Sequence, residues 1–416
     1  TITLAIPRAE MGQGVYTSLP KLVAEELEVG LDAIEVIHPQ PEAPYTNLFM
    51  VTQAEPNAFA GYSPMQKLMA YMTLVATGGS TSVSDAFTNL RYAGATSREM
   101  LKEAAAQRWG IERSACAVDG GHVVHSDGKT RLAYGDLAAE AALIELADLP
   151  TLKPKSEWKL LGKPAPRLDI PAKVDGSAQY SLDGRMDELL YATVRMPATL
   201  RGRITAIENA DEVAEMPGVE KVILTPYGAA VIGDNTWRTK NAALSLKVQE
   251  DAEGHDLFGT ETLFAAMEAS VDGLPGEVIE KEGDTVAAFD QPAGQVLAST
   301  YRLPYLAHAT MEPMNCTVEI TDTEAHVWAG HQSVSLVVNT VKEMTGLSAD
   351  QITAHTTYLG GGFGRRGEPD FVQSATAVAM EMKGRPVMTV FTREDDMQHD
   401  FYRPGAVSAF KAIVQS

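Results

Sequence analysis

"GGGFGRRGEPD", Gly360 to Asp370, follows the strand-like run "ITAHTTYL" and sets a run of three glycines, an aromatic ring and two arginines where that strand ends. Glycine loses more backbone freedom on folding than any other residue, so a cluster at a strand end needs a reason. Either the chain only turns tightly there, or something approaches so closely that no side chain fits between. Two more stretches pose the same alternative: "EMGQG" at Glu10–Gly14 and "TGGSTSVSD" at Thr77–Asp85. Each stands at a strand end or a helix start, where outward N–H groups and the helix dipole favour a negative group. In the last of them the hydroxyls of Ser80, Thr81, Ser82 and Ser84 add donors. Such a site can hold the phosphates of a large cofactor without lysines. "GGGFG" lacks the glycine spacing of the dinucleotide fingerprint, and no Walker-type Gly-Lys-Ser/Thr ending is present.

Working outward, "TITLAIP" reads as a strand running into "EMGQG". A helix follows through "LPKLVAEELEVG", with Leu19, Leu22, Val23 and Leu27 on one face, Pro20 in its first turn and Gly30 at its end. "IEVIH" is the next strand, and residues 39–64 read as a long polar loop. A helix over 84–109 takes Ser84 as N-cap and Gly110 as its stop. The Pro- and Lys-rich stretch at 149–166 reads as a linker. Beyond it "LLYATVRM", "VEKVILT", "AAVIGD" and "LSLKVQ" predict strands, with one short helix at "ADEVAEM". Residues 250–283 read as an acidic connector. "STYRLPY" and "CTVEIT" predict strands, and "SVSLVVNTVKEMTG" a helix closed by Gly346. The whole predicts a mixed α+β fold divided at 1–150, 151–250 and 251–416.

The bulk numbers exclude several classes. At 416 residues the chain exceeds one hydrophobic core, and 45% apolar with 21% charged residues describes an ordinary folded protein. A net charge of −21 repels phosphate backbones and anionic lipids, which argues against nucleic-acid binding; its plain reading is solubility. No apolar run is long enough to span a membrane. The chain opens at Thr1 without an initiator Met, so a segment upstream, with room for a targeting signal, is expected. Cys116 and Cys316 are too few for an iron–sulfur site and read as free buried thiols.

Together "EMGQGVYTSLPKLVAEEL", "GGSTSVSDAFTNLR", "HATMEPMNC", "GGGFGRR" and "REDDMQHDFYRP" resemble the molybdenum-binding large subunit of the xanthine dehydrogenase and aldehyde oxidase family. Most of that family places "MGQG" after "GGGFG"; the reversed order here resembles the isoquinoline 1-oxidoreductase beta-subunit branch. The middle section, from "KVDGSAQYSLDG" to "NTWRTKNAALSLKV", resembles the family's hammerhead domain. The resemblance therefore implies a molybdopterin-binding domain in two segments, 1–150 and 251–416, flanking that α+β domain.

It also implies a cofactor: molybdenum held by a pterin dithiolene, the pterin in its cytosine dinucleotide form, with no protein side chain as metal ligand. By matching motif, Met11, Gly12, Gln13 and Gly14 lie against the pterin and its phosphate. Thr81, Ser82 and Ser84 fall along the dinucleotide, and Gly362, Phe363 and Gly364 beside the molybdenum. Arg403 matches a substrate-orienting arginine, and Glu368 lies one residue out of register from a substrate-contacting glutamate. The implied reaction is hydroxylation of an N-heteroaromatic compound or an aldehyde with oxygen from water. Electrons would pass to [2Fe-2S] clusters on a small partner subunit, with a c-type cytochrome as a candidate acceptor. Twin-arginine export to the periplasm, rather than a cytoplasmic location, is the implied address.

Two departures stand out. Leu306 occupies the position of a glutamine that reaches the metal's oxo ligand in relatives, and no Gly-Val-Gly-Glu-like motif supplies the family's general base before Ser416. Either the rest lies on another polypeptide or the chain is a fragment. The alternative is a non-catalytic, truncated cofactor-binding or assembly protein; a nucleotide-binding protein without molybdenum is a third reading. Other features read as structural: His308 and Glu312 in "HATME", broken by Pro304 and Pro313; His122 and His125 at a hairpin edge; and Glu394, Asp395 and Asp396 in a solvated acidic turn. Arg365 and Arg366 lean towards pairing with an anionic cofactor.

Overall fold

The computed structural model describes residues 1–58, 61–252, 254, 259–273 and 276–414. The chain opens with β1 (Ile2–Ala5), α1 (Val15–Leu27), β2 (Ile34–Ile37), α2 (Leu48–Thr52), α3 (Pro64–Ala70) and α4 (Ser82–Trp109). Next come β3 (Ala117–Asp119), β4 (His122–Val124), β5 (Arg131–Ala133), α5 (Tyr134–Ala141), α6 (Ile170–Asp175) and β6 (Leu190–Arg195). The middle holds β7 (Arg203–Ile207), α7 (Ala210–Ala214), β8 (Val219–Thr225), β9 (Gly228–Gly233), α8 (Thr236–Ser245), β10 (Val248–Asp251), α9 (Thr260–Gly273), α10 (Thr285–Asp290) and β11 (Gln295–Leu303). The last part runs β12 (Asn315–Ile320), β13 (Ala325–Ala329), α11 (Val334–Thr345), β14 (Ile352–Thr356), α12 (Asp370–Ala379), β15 (Val387–Val390), α13 (Arg393–Gln398) and β16 (Ala406–Val414).

These elements form two compact units, Thr1–Ala192 with Thr310–Val390, and Thr193–Ala309 with Phe391–Ser416. The mixed α+β class is the expected one, but the units do not follow the breaks at 150 and 250. Residues 151–192 pack into the first unit because Glu25 of α1 holds them. Its buried carboxylate accepts from the N–H groups of Lys159, Leu160 and Leu161 and pairs with Lys153 at 2.6 Å. What reads as a linker is therefore tied down.

In the first unit, strand order β14-β13-β12-β15-β6 carries parallel pairing at both ends and antiparallel pairing on either side of β12. Along β13 the period of two puts Ala325, Val327 and Ala329 inside and leaves His326 and Trp328 half-buried opposite. A second core lies where α1 crosses α4, with Val23, Ala24, Leu27, Ala104 and Ala105 buried. Cys116 and Cys316 are free and buried, as expected.

The second unit pairs β8 with β9 and β7 with β10, all antiparallel, around Ile204, Val213, Val231, Ala242 and Leu246. β11 and β16 form a nine-pair antiparallel ribbon. Among the described residues no helix is long and apolar enough to cross a membrane.

Several elements differ from expectation. α1 starts at Val15, so Pro20 lies inside it, and the left-handed residue closing it is Glu28, not Gly30. α4 starts two residues early, with Thr81 at the N-cap and no side-chain cap. The 39–64 loop contains α2, and the acidic connector contains α9. α8 covers part of the expected strand "LSLKVQ". β4, which carries His122, is the middle strand of its sheet rather than an edge.

Candidate functional site

Glu10 shapes the first glycine stretch. Its buried carboxylate accepts from the N–H groups of Gly12 (2.8 Å), Gly14 (3.1 Å) and Tyr16 (3.1 Å) and from Arg167 Nη2 (3.1 Å). Gly12 and Gly14, at φ 110° and 88°, provide the left-handed turns that wrap the loop around it. Gln13 is also occupied: Oε1 accepts from the Met11 N–H at 2.7 Å and Nε2 donates to the Ala9 carbonyl at 2.8 Å. The start of α1 was expected to offer free donors to an anion. The chain's own carboxylate takes them instead, which corrects that expectation.

The Gly360–Gly364 stretch behaves differently. At one end the Gly360 N–H donates to Glu312 Oε2 at 2.9 Å; at the other, the Gly364 N–H donates to Gln332 Oε1 at 3.1 Å. Between these clamps the N–H groups of Gly361, Gly362 and Phe363 have no partner among the described residues. Phe363 stands left-handed at φ 55° with its ring 73% exposed, so the arch presents bare donors and an aromatic face together. A Cβ on Gly362 would lie 2.6 Å from Met11 Sδ, so the first and third glycine stretches touch here. The Leu359 N–H donates to the Glu10 carbonyl at 3.0 Å, a second tie between them.

Both arginines expected to face an anion point inward. Arg365, 1% exposed, pairs bidentately with Asp370 at 2.7 Å. Arg366, 0% exposed, donates to the carbonyls of Gly361, Gly330 and Glu312 and to Glu312 Oε2. Both guanidinium charges are thus paired on the underside of the arch, as burial requires, because an unpaired buried charge is costly.

The second stretch joins through Thr77. Its N–H donates to the Gln332 carbonyl at 2.7 Å, its carbonyl accepts from Gln332 Nε2 at 2.9 Å, and its Oγ1 accepts from the Ala9 N–H at 2.8 Å. Thr81 Oγ1 is buried between the Gly78 carbonyl and Asn47 Nδ2, so it is no free donor. Ser82 and Ser84 stand half-buried in the uncapped first turn of α4. All three stretches thus meet within the first unit.

The two substrate-contact candidates belong to different units. Glu368 closes the turn after the arch, its carbonyl accepting from His331 Nε2 at 3.2 Å. The other nitrogen of that buried ring accepts from the Ser333 N–H at 2.8 Å, and burial pulls its pKa down to about 4. In the second unit, Arg403 donates to the Pro304 carbonyl at 2.9 Å, and its backbone bridges Leu306. His308 pairs with the buried Asp400 at 2.9 Å, and Asp396, 2% exposed, pairs with Arg393. The stretch 393–400 is therefore a helical turn capped by Thr392 with two buried acids, not a solvated acidic turn. Among the described residues no group of three or more His, Cys, Asp or Glu is arranged to hold a metal ion.

Gln332 and the anchoring role of Glu10 are absent from the sequence reading. "AGHQSVS" carries no spacing that marks its glutamine, whereas Glu10 heads a quoted motif and could have been found as a carboxylate one residue before a turn rich in N–H donors.

Residues 271–415 match the molybdopterin cofactor-binding domain. The isoquinoline 1-oxidoreductase subunit beta of Brevundimonas diminuta is 27% identical over 99% of this chain and 55% of its own length. A membrane-bound aldehyde dehydrogenase (pyrroloquinoline-quinone) of Gluconacetobacter polyoxogenes is 28% identical over 98% of this chain and 50% of its own. The chain spans about half the length of these curated relatives. Among solved structures, the aldehyde oxidoreductase of Desulfovibrio gigas aligns at 19% identity with a TM-score of 0.48, covering 68% of this chain and 36% of that one.

Proposed function

We propose, on the premise that this chain belongs to the molybdenum hydroxylase large-subunit family, that its clamped arch cradles a molybdopterin in a protein that oxidises an N-heteroaromatic compound or an aldehyde. The observation that carries this reading is the arch itself: three adjacent N–H groups without partners among the described residues, hydrogen-bonded to Glu312 and Gln332 at its two ends, with Met11 against them. A Cβ on Gly362 would push aside Met11 Sδ and Gln332 Oε1, and the unpaired donors suit a group rich in oxygen acceptors, so the residues fit the cofactor. When bound, the molybdenum pterin supplies a two-electron redox centre.

The overall reaction replaces a substrate C–H bond with a C–O bond from water and releases two protons and two electrons. The N–H groups of Gly361–Phe363 would hold acceptor atoms of the cofactor, and the Phe363 ring would form an apolar wall that excludes water. Ser82 and Ser84, at the open start of α4, would meet the nucleotide end in its cytosine form. Glu368 and Arg403 are the proposed substrate contacts. Electrons would leave to [2Fe-2S] clusters on a small partner subunit, then to a c-type cytochrome, in the periplasm after twin-arginine export.

The two carboxylates beside the arch are poor candidates for the base. Glu10 and Glu312 are buried, and their oxygens already accept from backbone N–H groups and arginines. A second reading, a cofactor-binding or assembly protein, takes these two carboxylates as purely structural. The test is elemental analysis of the purified protein, identification of the nucleotide released on acid treatment, and assay with N-heterocycles and aldehydes. Stoichiometric molybdenum, a cytosine nucleotide and turnover support the enzyme. Molybdenum without turnover supports the second reading; a protein purified without molybdenum or pterin overturns both.

A further inference from the structure

We propose that Gln332 is a positioning residue whose single amide sets the spacing between the arch and the segment leading into α4; this rests on the molybdopterin reading above. Gln332 follows the end of β13 and is 9% exposed. Its backbone N–H donates to the Arg366 carbonyl at 2.8 Å, and its carbonyl accepts from Thr77 at 2.7 Å. Those bonds fix where the side chain starts. The side chain then works in two directions: Nε2 donates to the Thr77 carbonyl at 2.9 Å, and Oε1 accepts from the Gly364 N–H at 3.1 Å.

Donor and acceptor are both required. The Thr77 carbonyl has only lone pairs to offer, and the Gly364 N–H only a proton, so a primary amide satisfies both where a carboxylate or a thioether cannot. Gly362 adds a steric reason: a Cβ there would lie 2.9 Å from Gln332 Oε1, so the arch is pressed against the amide and cannot slide along it. The free N–H groups of Gly361–Phe363 and the uncapped turn at Ser82 and Ser84 belong to the two segments this amide joins. A cofactor that touches both is registered by Gln332 without contacting it.

The test compares Gln332→Met, which keeps the volume and removes both bonds, with Gln332→Glu, which at neutral pH keeps the acceptor and loses the donor. Amide exchange of the 360–364 segment, followed by mass spectrometry, reports the clamp whether or not molybdenum is present; molybdenum content reports its consequence. In Gln332→Met, exchange at the Gly364 amide is expected to rise about tenfold while Gly360, β12 and β13 exchange as in the parent, and retained molybdenum to fall several-fold. Gln332→Glu matches it at pH 7.5; measured against the parent at the same pH, it regains protection on acidification, once the carboxyl is protonated and can again donate to Thr77. A role confined to general packing would raise exchange in β12 and β13 equally and give no recovery with acid. If Gln332→Met does not fold, the pH response of Gln332→Glu decides. Parent-like exchange and molybdenum content in both variants, or a Gln332→Glu variant insensitive to pH, overturns the proposal. Absence of molybdenum from the parent overturns the functional reading alone, since the exchange pattern still tests the clamp.

Discussion

Gly360 and Gly362 are two positions apart in one arch, yet a methyl group added at each would meet different matter. At Gly360 it would lie 2.3 Å from Glu312 Cβ and 3.2 Å from the Glu312 backbone nitrogen, neither of which can swing aside. At Gly362 the nearest atoms are Met11 Sδ and Gln332 Oε1, the far ends of flexible side chains. Gly360→Ala should therefore cost about 1–3 kcal/mol in urea unfolding, the range for overpacking a closed site. Gly362→Ala should unfold near the parent midpoint while losing molybdenum, because Met11 and Gln332 are displaced from the cradle. Equal midpoints for the two variants would contradict this account. The difference marks what the sequence could disclose. A run of glycines announces that backbone is approached closely, and the resemblance of the motifs named the approaching group. It does not say which glycines face the fixed atoms of a glutamate and which face the ends of flexible side chains. Gln332 and Thr77 bond across 255 positions, and no local pattern encodes a contact of that length.

At the scale of elements, α1 was readable from the periodicity of its apolar face and α4 from its Gly110 stop. Glu25, away from that face, and Glu26, within it and against α4, are just as buried, because residues 151–161 fold back over Glu25 and Arg91 and Arg98 of α4 reach Glu26. Burial raises the Glu25 pKa; the Lys153 ammonium and three backbone N–H groups outweigh it and hold the carboxyl at about 2. A charged pair of residues in a helix pattern normally reads as a solvated face, and only the return of the chain makes it an anchor. The crossing itself depends on Gly94. A Cβ there would come within 2.8 Å of the Val23 carbonyl oxygen and 3.0 Å of Glu26 Cβ, so the helices are as close as their backbones allow. In an exposed helix Gly→Ala gains roughly 1 kcal/mol of helix propensity. Here the steric cost should exceed it, and Gly94→Ala should lower stability by about 1–2 kcal/mol net. A stabilised variant in chemical denaturation would show that α1 and α4 can separate without cost.

For the molecule as a whole, acid should act unequally on the two units. His331, 2% exposed in the first unit, has both ring nitrogens committed as a neutral imidazole: Nδ1 accepts from Ser333 and Nε2 donates to the Glu368 carbonyl. A proton added to Nδ1 would face the Ser333 N–H, donor against donor. With its folded pKa held at about 4 by burial, below the unfolded value near 6.5, its contribution is complete above pH 6.5 and is lost as pH falls from there to about 4. The loss amounts to about 3 kcal/mol over that window. Asp395 in the second unit moves the other way: burial raises its pKa, so protonation relieves it. Calorimetry from pH 7.5 down to 4.5 should show one transition moving to lower temperature and another holding its position. His331→Gln, whose amide supplies one donor and one acceptor without titrating, should reduce the acid dependence of the first transition, leaving the part due to His38, which burial also holds down to about 4 in the same unit, and should leave the second unchanged. Two transitions that fall together, or a His331→Gln protein as acid-sensitive as the parent, would place the acid response outside this ring.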